Sequence, residues 1–134
     1  KSSLSHELAM LGGVAGSVHK VSDELLYLME QLGLPASVLR VIERIPRGKG
    51  MAGQAWQTGE PVTTCNIKTD ALAPIEAGAR AVSAQASIAI PVLDEAGGVV
   101  SVVGFAFPDD QPFDDTRVMV CQKAAYRVWL SLVP

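Results

Sequence analysis

Residues 85–107 read QASIAIPVLDEAGGVVSVVGFAF, and this stretch decides the fold. Ala86, Ile88, Ile90 and Val92 recur at every second position, the period of a strand with one face buried. Asp94-Glu95-Ala96-Gly97-Gly98 is turn chemistry, and Val99–Phe107 is a second apolar run. Two such runs about a short glycine turn predict an antiparallel hairpin. Pro91 cannot donate to a ladder, so it predicts an edge or a bulge within the first strand.

Working outward toward the C-terminus, Pro108, Asp109, Asp110 and Pro112 form a loop, and Asp114 or Asp115 can cap a final helix over about 115–132. Its stripe is Val118, Cys121, Ala125, Val128 and Leu132, spaced 3, 4, 3, 4. Backward from the hairpin, residues 67–84 show no period and read as a loop with a helical turn or two. Pro61–Asn66 reads as a short strand and Ala52–Thr58 as a short helix. Val38–Ile45 (VLRVIERI), rich in β-branched residues, reads as a strand. Residues 4–33 read as one long helix, kinked near Ser22, because Leu11, Val14, Val18, Val21, Leu25, Leu28 and Leu32 repeat at 3 and 4. The predicted architecture is α+β: a mostly antiparallel sheet flanked by N- and C-terminal helices.

The 134 residues fit one domain, 1–134, with the helix 1–33 as a dimerisation element and 34–134 as sheet and last helix. Lys1-Ser2-Ser3 reads as a cut from a longer chain. A net charge of −3 and 5% aromatic content argue against a nucleic-acid or anionic-membrane surface. No apolar run reaches the ~18 residues of a membrane span. Cys65 and Cys121, 56 residues apart, are neither a disulfide framework nor a metal knuckle. They read as reduced thiols of a cytoplasmic protein.

Gly48-Lys49-Gly50-Met51-Ala52-Gly53 spells G-x-G-x-x-G, a nucleotide-binding fingerprint when it opens a crossover helix. Here the helix behind it has at most seven residues before Gly59 and Pro61, too few for a crossover. A tight turn is the competing reading, and a nucleotide-binding module stays as an alternative. Arg40, Arg44, Arg47 and Lys49 are either an anion site or a solvated strand edge. Cys65, beside the irregular segment, is either a reactive thiol or a core residue. His6 and His19 share no helix face and have no ligand-spaced partners, so no metal site is expected. No familiar catalytic motif appears, and the chain is not expected to be an enzyme.

Residues 47–66 (RGKGMAGQAWQTGEPVTTCN) resemble the glycine-loop and TGEP-V segment of GAF domains. Residues 87–107 resemble that family's central hairpin, and Phe113-Asp114-Asp115 its entry to the last helix. The resemblance spans about residues 20–132. It implies a sheet sandwiched by helices, homodimerisation through the first and last helices, and a pocket on the other face. Carried over by position, the pocket residues would be Trp56, Cys65, Ile67, Arg80, Ser83, Ser87 and Ile88. The dimer helix would use Leu11, Val14, Val18, Val21, Leu25, Leu28 and Leu32. Family members bind cyclic nucleotides, tetrapyrroles or other small molecules, or only dimerise. The resemblance thus implies a sensory or regulatory domain of a signalling protein, and names no cofactor. The alternative is a thiol-dependent redox enzyme related to the family's methionine sulfoxide reductases. Three departures stand out. One strand rather than two is evident before the glycine loop. The cyclic-nucleotide pattern N-K-x-D-E is missing, and so is a Cys-His pair of the bilin type.

Overall fold

A computed structural model describes residues 3–65, 85–109 and 112–133. In chain order the elements are α1 (Leu4–Leu11), β1 (Ala15–Ser22), β2 (Leu25–Leu32), α2 (Ala36–Ile42), β3 (Arg44–Pro46) and α3 (Gly50–Thr58). There follow β4 (Val62–Cys65), β5 (Ala86–Leu93), β6 (Val99–Phe107) and the last helix, α4 (Asp115–Leu132). The six strands form one sheet in the order β3-β2-β1-β6-β5-β4, every neighbouring pair antiparallel.

The central hairpin forms as its sequence demands. Asp94 organises the turn: its Oδ1 accepts from the amides of Ala96 (3.0 Å) and Gly98 (2.9 Å), and Gly97 takes φ +88. Pro91 is accommodated without a bulge at its own position. Strand β4 pairs with Ala86–Ala89, so among the described residues the outer side of β5 has no strand beside it at Pro91.

Each face of the sheet carries a core. On one, Val18, Ile88, Ile90, Val103, Phe105 and Phe107 pack against Leu4 and Leu8 of α1 and Cys121, Ala125 and Val128 of α4. On the other, Leu26, Ala89 and Val102 pack against Val38 and Ile42 of α2 and Met51, Ala55 and Trp56 of α3. The 3,4 stripe of α4 is therefore spent on its own sheet. Helices α1 and α4 are tied by Arg127, whose Nε and Nη2 each donate at 2.8 Å to the buried Glu7 carboxylate.

Two expectations are corrected. The chain from Gly12 to Leu32 is not a helix. Helix α1 ends where Gly12 turns left-handed (φ +77) and its amide reaches the carbonyls of Leu8 and Ala9. A β-hairpin follows, turned at Asp23 (φ +56). Of the proposed dimer-helix residues, Leu11 alone lies on a helix; Val14, Val18, Val21, Leu25, Leu28 and Leu32 lie beside or within β1 and β2. The 3,4 spacing misled because this sheet is covered on both faces. Val18 and Val21, three apart, point to opposite faces and enter different cores. Opposite Val18 and His19, β2 carries one extra residue, Met29, between the partners Glu30 and Leu28, which breaks its alternation as well. The expected single strand before the glycine loop is thus three strands, and the sheet is not reduced.

The second correction is Val38–Ile45. Residues 36–42 are helical, and only Arg44–Pro46 forms a strand. Val38 and Ile42, four apart, are both buried on one side of a single helical turn while Val41 is 73% exposed. Burial at i and i+4 outweighs the modest strand preference of β-branched residues.

Candidate functional site: a cavity between the sheet and α2–α3

The second face is not filled throughout. Three cross-strand rows form its floor. Ala15 pairs with Ala106 and Ala106 with Ser87; Ser17 pairs with Gly104 and Gly104 with Ala89; His19 pairs with Val102. The first two rows hold only Gly, Ala and Ser, whose short side chains cannot reach the helices above. Leu34, Val38, Ile42, Met51 and Ala52 form the opposite wall, and a cavity of about 70 Å³ lies between. Its described lining contains no Asp, Glu, Lys or Arg.

Polar groups are few and specific. The Ser87 hydroxyl donates to Met51 Sδ at 3.2 Å. His19 is 2% exposed, and its Nε2 lies 2.7 Å from the Ile42 carbonyl at the end of α2. A carbonyl can only accept, so Nε2 carries the hydrogen. The bond satisfies a helix-terminal carbonyl and latches α2 to β1. Burial pushes the His19 pKa below its ordinary value, against the opposing pull of the Ile42 bond, so the ring is neutral. Its Nδ1 is then a bare lone pair, buried and without a partner among the described residues.

Of the pocket residues carried over by position, Ser87 and Ile88 line this cavity. Trp56 is buried in the adjoining core, with the Arg47 guanidinium 5.4 Å from its ring centroid, and does not line it. The backbone of Cys65, the last residue of β4, pairs with Ala86 of β5. Ile67, Arg80 and Ser83 lie outside the described residues. Ser17, His19, Met51, Ala89 and Gly104 were not anticipated. The period-2 run of small residues on β1 and β6 is their signal, hidden on β1 by the helical reading.

The glycine loop is a closed turn. The Gly48 amide donates to the Gly53 carbonyl (2.9 Å), Lys49 to Pro46 (3.1 Å) and Gly53 to Lys49 (2.9 Å). Those three amides are spent on carbonyls and are not presented to a phosphate. Cys121 lies on the opposite sheet face, where burial pushes its thiol up to about 11 despite the nearby Arg117. No cluster of His, Cys, Asp and Glu suited to a metal occurs among the described residues. No helix among them is long and apolar enough to cross a membrane.

Comparison with known proteins places this geometry. The GAF domain/HD domain protein from Geobacter sulfurreducens superposes with a TM-score of 0.70 at 16% identity, covering 95% of this chain and 87% of that one. The nlh2 GAF domain of A. aeolicus, in an inactive state, gives 0.69 at 19% identity, with 93% and 74% coverage. Free methionine-R-sulfoxide reductase from Neisseria meningitidis, in complex with its substrate, gives 0.67 at 19% identity, with 91% and 75% coverage. That likeness overturns the expectation that the chain is not an enzyme. The fold supports catalysis in that protein, so missing familiar motifs do not exclude activity here. No curated protein sequence matches the chain. A family model for the GAF domain matches residues 4–133. With the six-stranded sheet between two helical layers, this establishes that the chain belongs to the GAF domain family.

Proposed function

We propose that this GAF domain is a sensory module that binds a small molecule in the cavity between the sheet and α2–α3. The observation that carries the reading is the floor of Gly, Ala and Ser on three neighbouring strands. A sheet face meant only for packing would fill that space, since protein interiors tolerate few voids. The latch from His19 to the end of α2 gives occupancy a route outward, because α2 forms part of the cavity wall.

Native mass spectrometry of freshly purified chain tests the reading, and a retained small molecule is the expected result. Gly104→Val places a branched side chain on the floor. The Cβ alone lies 3.1 Å from the Ser17 hydroxyl, a side-chain tip that can rotate away. The variant is expected to fold and to lose the bound molecule. Equal retention by both proteins would place the molecule elsewhere and sink the proposal.

The reductase reading is favoured by the likeness to the Neisseria enzyme. It would rest on Cys65, because Cys121 is buried on the far side of the sheet with a thiol pKa near 11. Reduction of free methionine-R-sulfoxide with dithiothreitol, abolished by Cys65→Ser, would replace the sensory reading with the catalytic one. A reducing, cytoplasmic location suits either reading.

We further propose that the domain forms a homodimer through its terminal helices, using their outer faces. Met10 of α1 is 73% exposed and Leu130 of α4 is 63% exposed, with Met119 and Val120 nearly half exposed. Nucleic acid and membrane have no part in the proposal, for the charge reasons given above.

A further inference from the structure

Among the side chains that line the cavity, His19 carries a buried nitrogen without a partner among the described residues. The ring is almost wholly buried, and the bond to the Ile42 carbonyl commits Nε2 as donor. Nδ1 therefore offers a lone pair with no donor among the described residues. Leaving a buried acceptor unpaired is costly, and such groups are generally matched by a side chain, a water or a ligand. Of the other polar side chains lining the cavity, Ser87 donates its hydroxyl to Met51 Sδ. The rest of the lining is apolar but for Ser17, and no charged side chain among the described residues could balance an ionic ligand.

We propose that the ligand is a small uncharged molecule with an apolar body and a single N–H or O–H donor, and that this donor bonds to His19 Nδ1. Size follows from volume. The cavity is about 70 Å³, against the ~150 Å³ of an apolar cavity that holds benzene. On that scale the ligand is smaller than benzene. Specificity follows from the tautomer. With Nε2–H held on Ile42, Nδ1 accepts and cannot donate, so ligands offering only an acceptor meet a lone pair. Rejection of an analogue lacking the matching group is the mode of discrimination buried polar atoms provide.

The inference rests on the cavity being a ligand site, and the test separates the two. Pyrrole and furan are five-membered rings of nearly equal size, but only pyrrole carries an N–H. Both are titrated into ¹⁵N-labelled chain, followed by backbone amide shifts and by the His19 ring nitrogens. Pyrrole is expected to bind about tenfold tighter than furan, and the Nδ1 resonance should move upfield as it accepts the bond. His19→Leu removes the Nδ1 acceptor together with the Ile42 bond and leaves an apolar side chain, so it should level the two affinities. If that variant does not fold, the Nδ1 shift of the unaltered chain still decides. Equal binding of both rings with an unmoved Nδ1 would overturn the inference while leaving the cavity a ligand site. Binding of neither ring, together with no molecule retained in native mass spectrometry, would overturn both.

Discussion

At the scale of single residues, His19 does two jobs that pull on one ring. Its Nε2–H holds α2, and its neutral state is enforced by burial. The unfolded chain takes up a proton on this side chain near its ordinary value of about 6.5. The folded chain resists protonation until lower pH. Between those values the unfolded state binds more protons, so stability falls as pH falls. The contribution is intact above about pH 7, declines below 6.5, and levels off once the lowered folded value is passed. Urea unfolding at pH 7.5 and 5.5 should show a loss at the lower pH from this group, with a ceiling of about 1.4 kcal/mol set by the unit between 5.5 and the ordinary value. His19→Gln should remove that component. If wild type and variant showed the same pH dependence, His19 would not be titrating as a buried neutral ring.

At the scale of elements, the turn joining β3 to α3 shows why a glycine fingerprint can serve packing alone. Alanine generally stabilises a helix relative to glycine by about 1 kcal/mol, and Gly53 lies inside α3. A Cβ there would stand 2.6 Å from the Pro46 carbonyl oxygen and 3.1 Å from backbone atoms of Gly48. Backbone cannot swing aside, so the clash wins. Gly53→Ala should destabilise the domain by about 2 kcal/mol, read from the chemical-denaturation midpoint. A neutral or stabilising result would mean that the turn is loose. The same region shows what the sequence could reveal. Helix α4, buried along one face, wrote its period plainly, and β5, buried on both faces, wrote it in the large side chains of Ile88, Ile90 and Val92 on one side. So did the N-cap of α4, where Asp114 accepts from the Arg117 amide at 2.7 Å. Strands β1 and β2 did not, because Val18 and Val21 of β1 enter opposite cores and β2 is bulged at Met29 and partly exposed. Helix α2 is a single buried pair at i and i+4, too short for a stripe. Ser87 and Ile88 were reachable through the family pattern. His19 was not, because its role depends on a strand that the spacing disguised.

For the whole molecule, the arrangement of the terminal helices decides where a second copy can dock. Helices α1 and α4 share one side of the sheet, clamped by the Glu7–Arg127 pair. At about 100° per residue, Cys121, Ala125 and Val128 turn inward, and Met119, Tyr126 and Leu130 gather within about 40° on the opposite side. Tyr126 is tethered, since its hydroxyl accepts from the Leu93 amide at 2.9 Å. Met119 and Leu130 have no such restraint and remain exposed. A two-fold pairing of α4 against its copy would bring this stripe onto itself, the self-complementary arrangement that isologous dimers use. Leu130→Glu should therefore split the dimer by placing two carboxylates in an apolar seam, weakening association by at least about thirtyfold, a hot-spot loss of roughly 2 kcal/mol. Because Leu130 is 63% exposed within one chain, the unfolding midpoint of the dissociated variant should match that of a monomer without the substitution. Sedimentation velocity at tens of micromolar reads the first outcome, and denaturation at sub-micromolar concentration the second. A wild-type chain that sediments as a monomer at 100 μM would refute the dimer and leave the stripe free for a different partner.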